Sequence, residues 1–194
     1  GTANAGFELL LETSIDYRLK GTRIMPMALI NGLPNMPSHY VSAYTGAAGP
    51  FHTISATCAS GTQAIGVGLD QIRAGRADVM FVGGVDTLIH PDVMMAFEAM
   101  TVLANKYSDQ PERVSRPFDA ERDGLSIGEG AGFALLERVE ARPESGAMLL
   151  LGIGESCDAY HMSTPHPDGL GAMSAMRRAL ETANLAPADI DYVN

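Results

Sequence analysis

From Phe51 to Val82 the order of residue types leaves few folds open. Phe51-His52-Thr53-Ile54-Ser55 is a β-rich run, Cys58 comes three residues on, and a helical pattern then opens with Ile65, Leu69 and Ile72 on one face. That helix should end near Gly75. Asp78-Val79-Met80-Phe81-Val82 follows as a buried strand, with Gly83-Gly84 as its breaker. Strand, helix and strand at this spacing predict a βαβ unit in a parallel sheet.

Such a unit presents the Cys58 thiol where a strand turns into a helix. The unpaired N–H groups and the positive dipole end of a helix stabilise a thiolate, the reactive form of cysteine. Ala59, Ser60 and Gly61 are small enough to admit a substrate carbonyl beside the sulfur. On local pattern alone the other reading stays open, a buried inert cysteine serving as a small hydrophobe.

Elsewhere, Phe7, Leu10 and Leu11 predict a helix, followed by a loop rich in proline, glycine and asparagine from Gly21 to Pro37. A short helix from Ser38 to Tyr44 should stop at Gly46. Pro91 to Met100 is helical, and its Met94, Met95, Phe97 and Met100 suit either core or a pliable apolar pocket. Phe133 to Glu137 and Met148 to Ile153 read as strands, Gly169 opens a helix carrying Met173, Met176, Leu180 and Ala183 on one face, and Ile190 to Val193 reads as a last strand. Composition changes at Pro143 to Gly146, a plausible linker. The organisation expected is residues 1–142 as the latter part of one α/β half, 143–146 as linker and 147–194 as the start of a second half, with similar order on both sides of the linker.

Charge and composition narrow the function. A net charge of −10 and only 13 scattered Lys and Arg argue against nucleic acid as a partner. No apolar run approaches the length that spans a bilayer, so no membrane partner is expected. Two cysteines, Cys58 and Cys157, form no disulfide framework and no CxxC zinc pair, which suits a reducing, cytoplasmic setting. The histidines His39, His52, His90, His161 and His166 show no metal-ligand spacing, so no metal is expected, and no Walker sequence is present to suggest a nucleotide cofactor. Gly128, Gly130 and Gly132 alternate ahead of a strand, where a dinucleotide fingerprint needs a helix; close packing beside the Cys58 helix explains them better. Arg116, Asp119, Arg122 and Asp123 read as a salt-bridged turn. Cys157, Asp158 and His161 lie within five residues in a loop from Ser156 to Gly169, but Cys157 lacks a helix behind it and is a poorer nucleophile than Cys58.

Four blocks together resemble the β-ketoacyl-acyl-carrier-protein synthases of the thiolase-like superfamily. They are Cys58-Ala59-Ser60-Gly61; Ala77-Asp78-Val79-Met80 with Gly83-Gly84; Ser115-Arg116-Pro117-Phe118-Asp119 through Arg122-Asp123-Gly124 into Gly128-Glu129-Gly130-Ala131-Gly132; and Ser156-Cys157-Asp158-Ala159-Tyr160-His161-Met162, a mark of the type II enzymes. The resemblance spans essentially the whole chain. It implies an α/β fold, a layered α/β/α/β/α duplication that is incomplete in this chain, working as a homodimer. It implies a decarboxylative Claisen condensation in fatty-acid or polyketide elongation, with acyl and malonyl thioesters on an acyl carrier protein as partners. Cys58 would be the catalytic nucleophile.

The same resemblance suggests substrate-binding roles for Asn4, Thr57, Phe97, Asp158 and His161. Phe97 matches an aromatic near the acyl pocket, and Asp158 with His161 falls on a gating loop near the tunnel. Asn4 stands where many relatives carry an apolar tunnel residue, and Thr57 where they carry a smaller one, which leaves the preferred acyl chain open. Met27 to Gly32 resembles a stretch lining the partner subunit's tunnel. Arg18, Lys20 and Arg23 are candidates for meeting an acidic carrier. The family's two catalytic histidines and a lysine are expected beyond Tyr192-Val193-Asn194, so these 194 residues are expected to be an inactive middle segment. Two alternatives remain, a thiolase-type acetyl-CoA acyltransferase and a non-catalytic chain-length subunit of a heterodimeric synthase.

Overall fold

A computed structural model of the chain describes residues 1–139 and 146–194. Backbone proximity divides them into two units, Gly1–Leu136 and Glu137–Asn194. The expected linker at 143–146 lies outside the described residues except for Gly146.

The first unit is built around one helix on one pair of strands. Helix α1 spans Phe7–Lys20, α2 Ala28–Asn31 and α3 Met36–Thr45; α4 spans Ser60–Arg73 and α5 Pro91–Ala99. Strands β1, Val79–Asp86, and β2, Gly130–Glu137, form a two-stranded sheet. Helix α4 packs on β1 because its inward face carries glycine: a Cβ added at Gly68 would fall 2.3 Å from Val82 Cγ1 and 3.5 Å from Leu136 Cδ1. The same construction at Gly83 meets the Gly132 carbonyl and Phe133. With Gly83 beside 132–133, and Val82 and Leu136 both at Gly68, β1 and β2 run antiparallel.

On the other side of β1, the Gly1 amino group donates to the Gly83 carbonyl at 2.8 Å and the Val85 N–H donates to the Gly1 carbonyl at 3.1 Å. This two-bond pattern about Gly84 is that of parallel neighbours. The Thr2 N–H continues outward to the Ile54 carbonyl at 2.9 Å.

Several expectations need correction. Phe51 to Ser55 is not a strand, since Thr2–Ile54 is the backbone bond recorded for it and one bond makes no ladder. The Gly83-Gly84 pair does not end β1, which runs on to Asp86; Val79 and Phe81 are nearly half-exposed and only Val82 is buried. An added Cβ at Gly128, Gly130 or Gly132 meets nothing, so close packing at the Cys58 helix comes from Gly61, Gly68 and Gly84 instead. The loop from Gly21 to Pro37 contains α2. Met94, Met95 and Met100 are exposed, so they are not core in this chain.

The second unit is an extended segment laid along α6, Leu170–Ala183. Thr182 clasps it, its hydroxyl donating to the Ile153 carbonyl at 2.8 Å and accepting the Ile153 N–H at 3.0 Å. Arg178 donates to the Glu155 carbonyl and Ser156 to the Gly171 carbonyl, so the segment runs opposite to the helix. Gly152 and Gly154 permit this approach: a Cβ on Gly154 would lie 1.9 Å from the Ala175 carbonyl oxygen. Met148 to Ile153 and Ile190 to Val193 are therefore not strands here, and Met173 and Met176 on α6 are exposed.

Of the charged turn expected at Arg116, Asp119, Arg122 and Asp123, Arg116 and Asp119 form the ion pair, while Arg122 donates to the Asp119 backbone carbonyl at 2.8 Å. Arg116 Nη2 lies 3.4 Å from Asp119 and Nη1 3.7 Å from Glu121, while its guanidinium stacks 4.5 Å from the centroid of the buried Tyr107 ring. Tyr107 donates to Glu121 at 2.5 Å, and Asp123 accepts the Lys106 N–H at 2.7 Å and the Asn105 N–H at 2.9 Å. The Lys106 and Asn105 amides hold the Asp123 carboxyl below the usual carboxylate range. A depressed folded value means the tether is at full strength above the unfolded carboxylate pKa, about 4, and weakens as pH falls through the lowered value. Amide exchange at Asn105 and Lys106, corrected for intrinsic rates, should be flat from pH 7 to about 5 and should accelerate below about 4; Asp123→Asn should remove that pH dependence.

Candidate functional site

Cys58 sits in a 3₁₀ turn, Thr57–Ala59, that feeds directly into α4. Its thiol is free and exposed in this chain. The turn, rather than a strand, delivers it. Ala56 stands at φ −143° and ψ 41°, outside both helix and strand, and Thr57 then takes φ 49°, a left-handed conformation that a β-branched residue adopts at a cost of about 1–3 kcal/mol. Reversing the backbone there aims Cys58 outward at the helix N-terminus. The preceding 3₁₀ turn takes up the amides at the junction: the Ala59 N–H donates to the Ala56 carbonyl at 3.1 Å and the Ser60 N–H to the Thr57 carbonyl.

The turn is braced from beneath. Ser60, 2% exposed, accepts the Ala56 N–H at 2.8 Å, and its hydroxyl has two acceptors in reach, the Thr57 carbonyl at 2.6 Å and the Thr2 carbonyl at 3.2 Å. Thr2 is held in turn by Asp86 at the end of β1. One Asp86 oxygen accepts the Thr2 hydroxyl at 2.9 Å, the Ala3 N–H at 3.0 Å and the Asn4 N–H at 2.9 Å. Gly61 completes the fit, because a Cβ on Gly84 would stand 3.3 Å from the Gly61 Cα.

The fold thus gathers Cys58, Thr57 and the backbone of Asn4 into one hydrogen-bonded neighbourhood. Phe97 is half-buried on α5, a helix whose start is set by His90: its Nδ1 accepts the Asp92 N–H and its Nε2 lies 3.5 Å from Glu12. These bonds tie α5 to α1, not to the Cys58 turn. Asp158 and His161 belong to the second unit. Asp158 accepts the His166 N–H at 2.9 Å, and His161 Nδ1 accepts the Ser163 and Thr164 N–H groups at 3.2 Å each, so both side chains shape their own loop. Cys157 is exposed in that loop.

A cavity of about 290 Å³ opens in the first unit between α3, the 47–54 segment, α4 and β1. Ser38, Val41, His52, Val67 and Met80 are among its lining residues, and Cys58 and Phe97 are not. Among the described residues no helix is long and apolar enough to cross a membrane, and no cluster of three or more His, Cys, Asp or Glu is arranged to hold a metal. Ser60, Thr2 and Asp86 are the functional-site residues that sequence reasoning missed. A small polar residue two places after a candidate nucleophile was the available signal.

The sequence matches the family described as Beta-ketoacyl synthase, N-terminal domain, over residues 5–142, and Beta-ketoacyl synthase, C-terminal domain, over residues 148–194. Among curated proteins it is similar to 3-oxoacyl-[acyl-carrier-protein] synthase 2 of Rhizobium meliloti (strain 1021), 38% identical over 198 residues, covering 100% of this chain and 47% of the relative. The chain spans about half the length of that relative. Among solved structures it is similar to a ketosynthase bound to the hexaketide in complex with its type II PKS acyl-carrier protein, with a TM-score of 0.86 and 28% identity over 99% of this chain and 50% of the other. It is also similar to a ketosynthase in complex with its chain length factor from Xenorhabdus doucetiae, with a TM-score of 0.77 and 32% identity over 100% of this chain and 46% of the other.

Proposed function

This chain belongs to the β-ketoacyl synthase family, with the α/β thiolase-like fold of the ketosynthases, and from that premise we propose that the whole protein is a 3-oxoacyl-acyl-carrier-protein synthase in which Cys58 is the nucleophile. The observation that carries this reading is the exposed Cys58 thiol on a strained turn at the head of α4. In the first half-reaction the Cys58 thiolate attacks the carbonyl of an acyl-carrier thioester. The tetrahedral oxyanion collapses by expelling the carrier thiolate, leaving the acyl group on Cys58. In the second, a malonyl-carrier thioester loses carbon dioxide, and the electron pair freed at its α-carbon attacks the acyl-Cys58 carbonyl. The new carbon–carbon bond forms as the Cys58 thiolate leaves, and the product is a β-ketoacyl thioester on the carrier. Decarboxylation is assigned, on the family resemblance alone, to the family's two catalytic histidines.

Asn4 and Thr57 are read as acyl-chain neighbours of Cys58, supported by the bonding that holds their backbones to β1 and to Ser60. Phe97, Asp158 and His161 are read as substrate-binding on the family resemblance alone. A homodimer is supported by the exposed apolar residues Met25, Met27, Leu29 and Ile30, which need cover. For the acidic carrier, Lys20 is already paired with Asp16 at 2.7 Å, which favours the exposed Arg18 and Arg23 as contacts. Free exposed thiols at Cys58 and Cys157 fit a reducing compartment such as the cytoplasm.

The test is acyl mapping on the full-length protein. Incubation with an acyl-carrier thioester, without malonyl donor, should add one acyl mass, found on the peptide containing Cys58 and released by hydroxylamine. Acylation at Cys157 instead, or none while the protein is folded, would overturn the assignment.

A further inference from the structure

An exposed thiol on a strained turn needs something to keep the turn from relaxing, and the residue placed to do so carries no assigned role. Thr57, at φ 49°, is the conformational hinge that turns Cys58 outward. Ser60 straddles it: its oxygen takes the N–H of the residue before, Ala56, and its hydroxyl reaches the Thr57 carbonyl itself. That carbonyl also accepts the Ser60 N–H, so both ends of the same residue pin the hinge. Thr57's own hydroxyl donates to the Ala56 carbonyl at 2.8 Å, closing the loop on its outer side. One hydroxyl proton serves one acceptor at a time, and the Thr57 carbonyl, at 2.6 Å, is closer than that of Thr2, at 3.2 Å. The Thr2 carbonyl, fixed by Asp86, is the second acceptor that keeps the hydroxyl from being orphaned if the turn breathes.

We propose that Ser60 is a positioning residue for Cys58, its buried hydroxyl holding Thr57 in the left-handed conformation that presents the thiol at the head of α4. The proposal rests on Cys58 being the nucleophile. Ser60, at 2% exposure, cannot touch substrate and acts only through the turn. Losing the brace frees Thr57 to leave φ > 0, and the fraction of molecules presenting the thiol falls.

The experiment measures the second-order rate of iodoacetamide alkylation at Cys58, located by peptide mapping, in the full-length protein and in Ser60→Ala, with the kcat and KM of acyl transfer alongside. Ser60→Ala is expected to label about tenfold more slowly, the loss that one net hydrogen bond supports, and to lower kcat by a similar factor with KM unchanged. Adding Thr57→Gly, which adopts φ 49° without a Cβ penalty, is expected to bring Ser60→Ala back to within about threefold of the parent rate of iodoacetamide alkylation, the readout in which no acyl chain takes part. A Ser60 with a merely structural role would not be rescued there. Ser60→Ala labelling at the parent rate, or a slow rate that Thr57→Gly leaves slow, overturns the proposal. A Ser60→Ala chain that unfolds yet folds and labels once Thr57→Gly is added supports it, and one that stays unfolded overturns it. Should the parent protein label elsewhere than Cys58, the nucleophile assignment itself fails, a result distinct from any of these.

Discussion

Cys58→Ser in the full-length protein is expected to lower condensation by at least about 10³-fold, with no acyl-enzyme detectable by mass. A serine hydroxyl is almost wholly protonated near neutral pH, and the turn holds no general base to deprotonate it; Ser60 beneath it is committed to backbone partners. The exchange removes the nucleophile and leaves the binding surface intact, so the loss should fall on kcat. Stability is the control. Cys58 is exposed, and a surface substitution of this size should keep the unfolding free energy within about 0.5 kcal/mol of the parent. Cys157→Ser, in a loop of the second unit, should leave acylation in place. Condensation surviving Cys58→Ser, or disappearing with Cys157→Ser, would move the chemistry to another site.

The parts of this site that were legible in the sequence are those written in local signals. Helix α4 follows from its apolar spacing, the end of α3 from Gly46 at φ 72°, and the start of α6 from Gly169 at φ 64°. The salt-bridged turn around Arg116 follows from opposite charges three residues apart. Strands were less legible, because a strand is a relation to a neighbour. Phe51 to Ser55 and Met148 to Ile153 have the composition of strands, yet one meets a single bond from Thr2 and the other lies along a helix instead of a second strand. Tight glycines were misplaced for the same reason. Gly128, Gly130 and Gly132 alternate conspicuously but face open space, while Gly61 and Gly84, far apart in the chain, touch. The brace under Cys58 joins Thr2, Ser60 and Asp86 through long-range bonds that no spacing encodes.

Gly83→Ala is the substitution expected to damage the fold most. A Cβ there would sit 2.1 Å from the Gly132 carbonyl oxygen and 2.8 Å from the Phe133 Cα, both backbone atoms of β2 that no side-chain rotation can clear. The strands must separate locally or the methyl cannot enter, an overpacking cost of about 3 kcal/mol. Gly130→Ala is the matched comparison: the same added methyl, in β2 itself, meets nothing within 4 Å, and by restricting the unfolded chain it should be neutral or stabilising by under about 1 kcal/mol. The damage at Gly83 should also reach the nucleophile. Its carbonyl accepts the Gly1 amino group at 2.8 Å, and the next residue, Gly84, is the one packed against Gly61 at the head of α4. Pushing β1 off β2 therefore drives it toward the Gly1–Thr2 segment, whose Thr2 carbonyl meets Ser60 beneath the Cys58 turn, and alkylation of Cys58 should slow even where the protein remains folded. Equal unfolding free energies for Gly83→Ala and Gly130→Ala in denaturant titrations would contradict the antiparallel contact between the two strands.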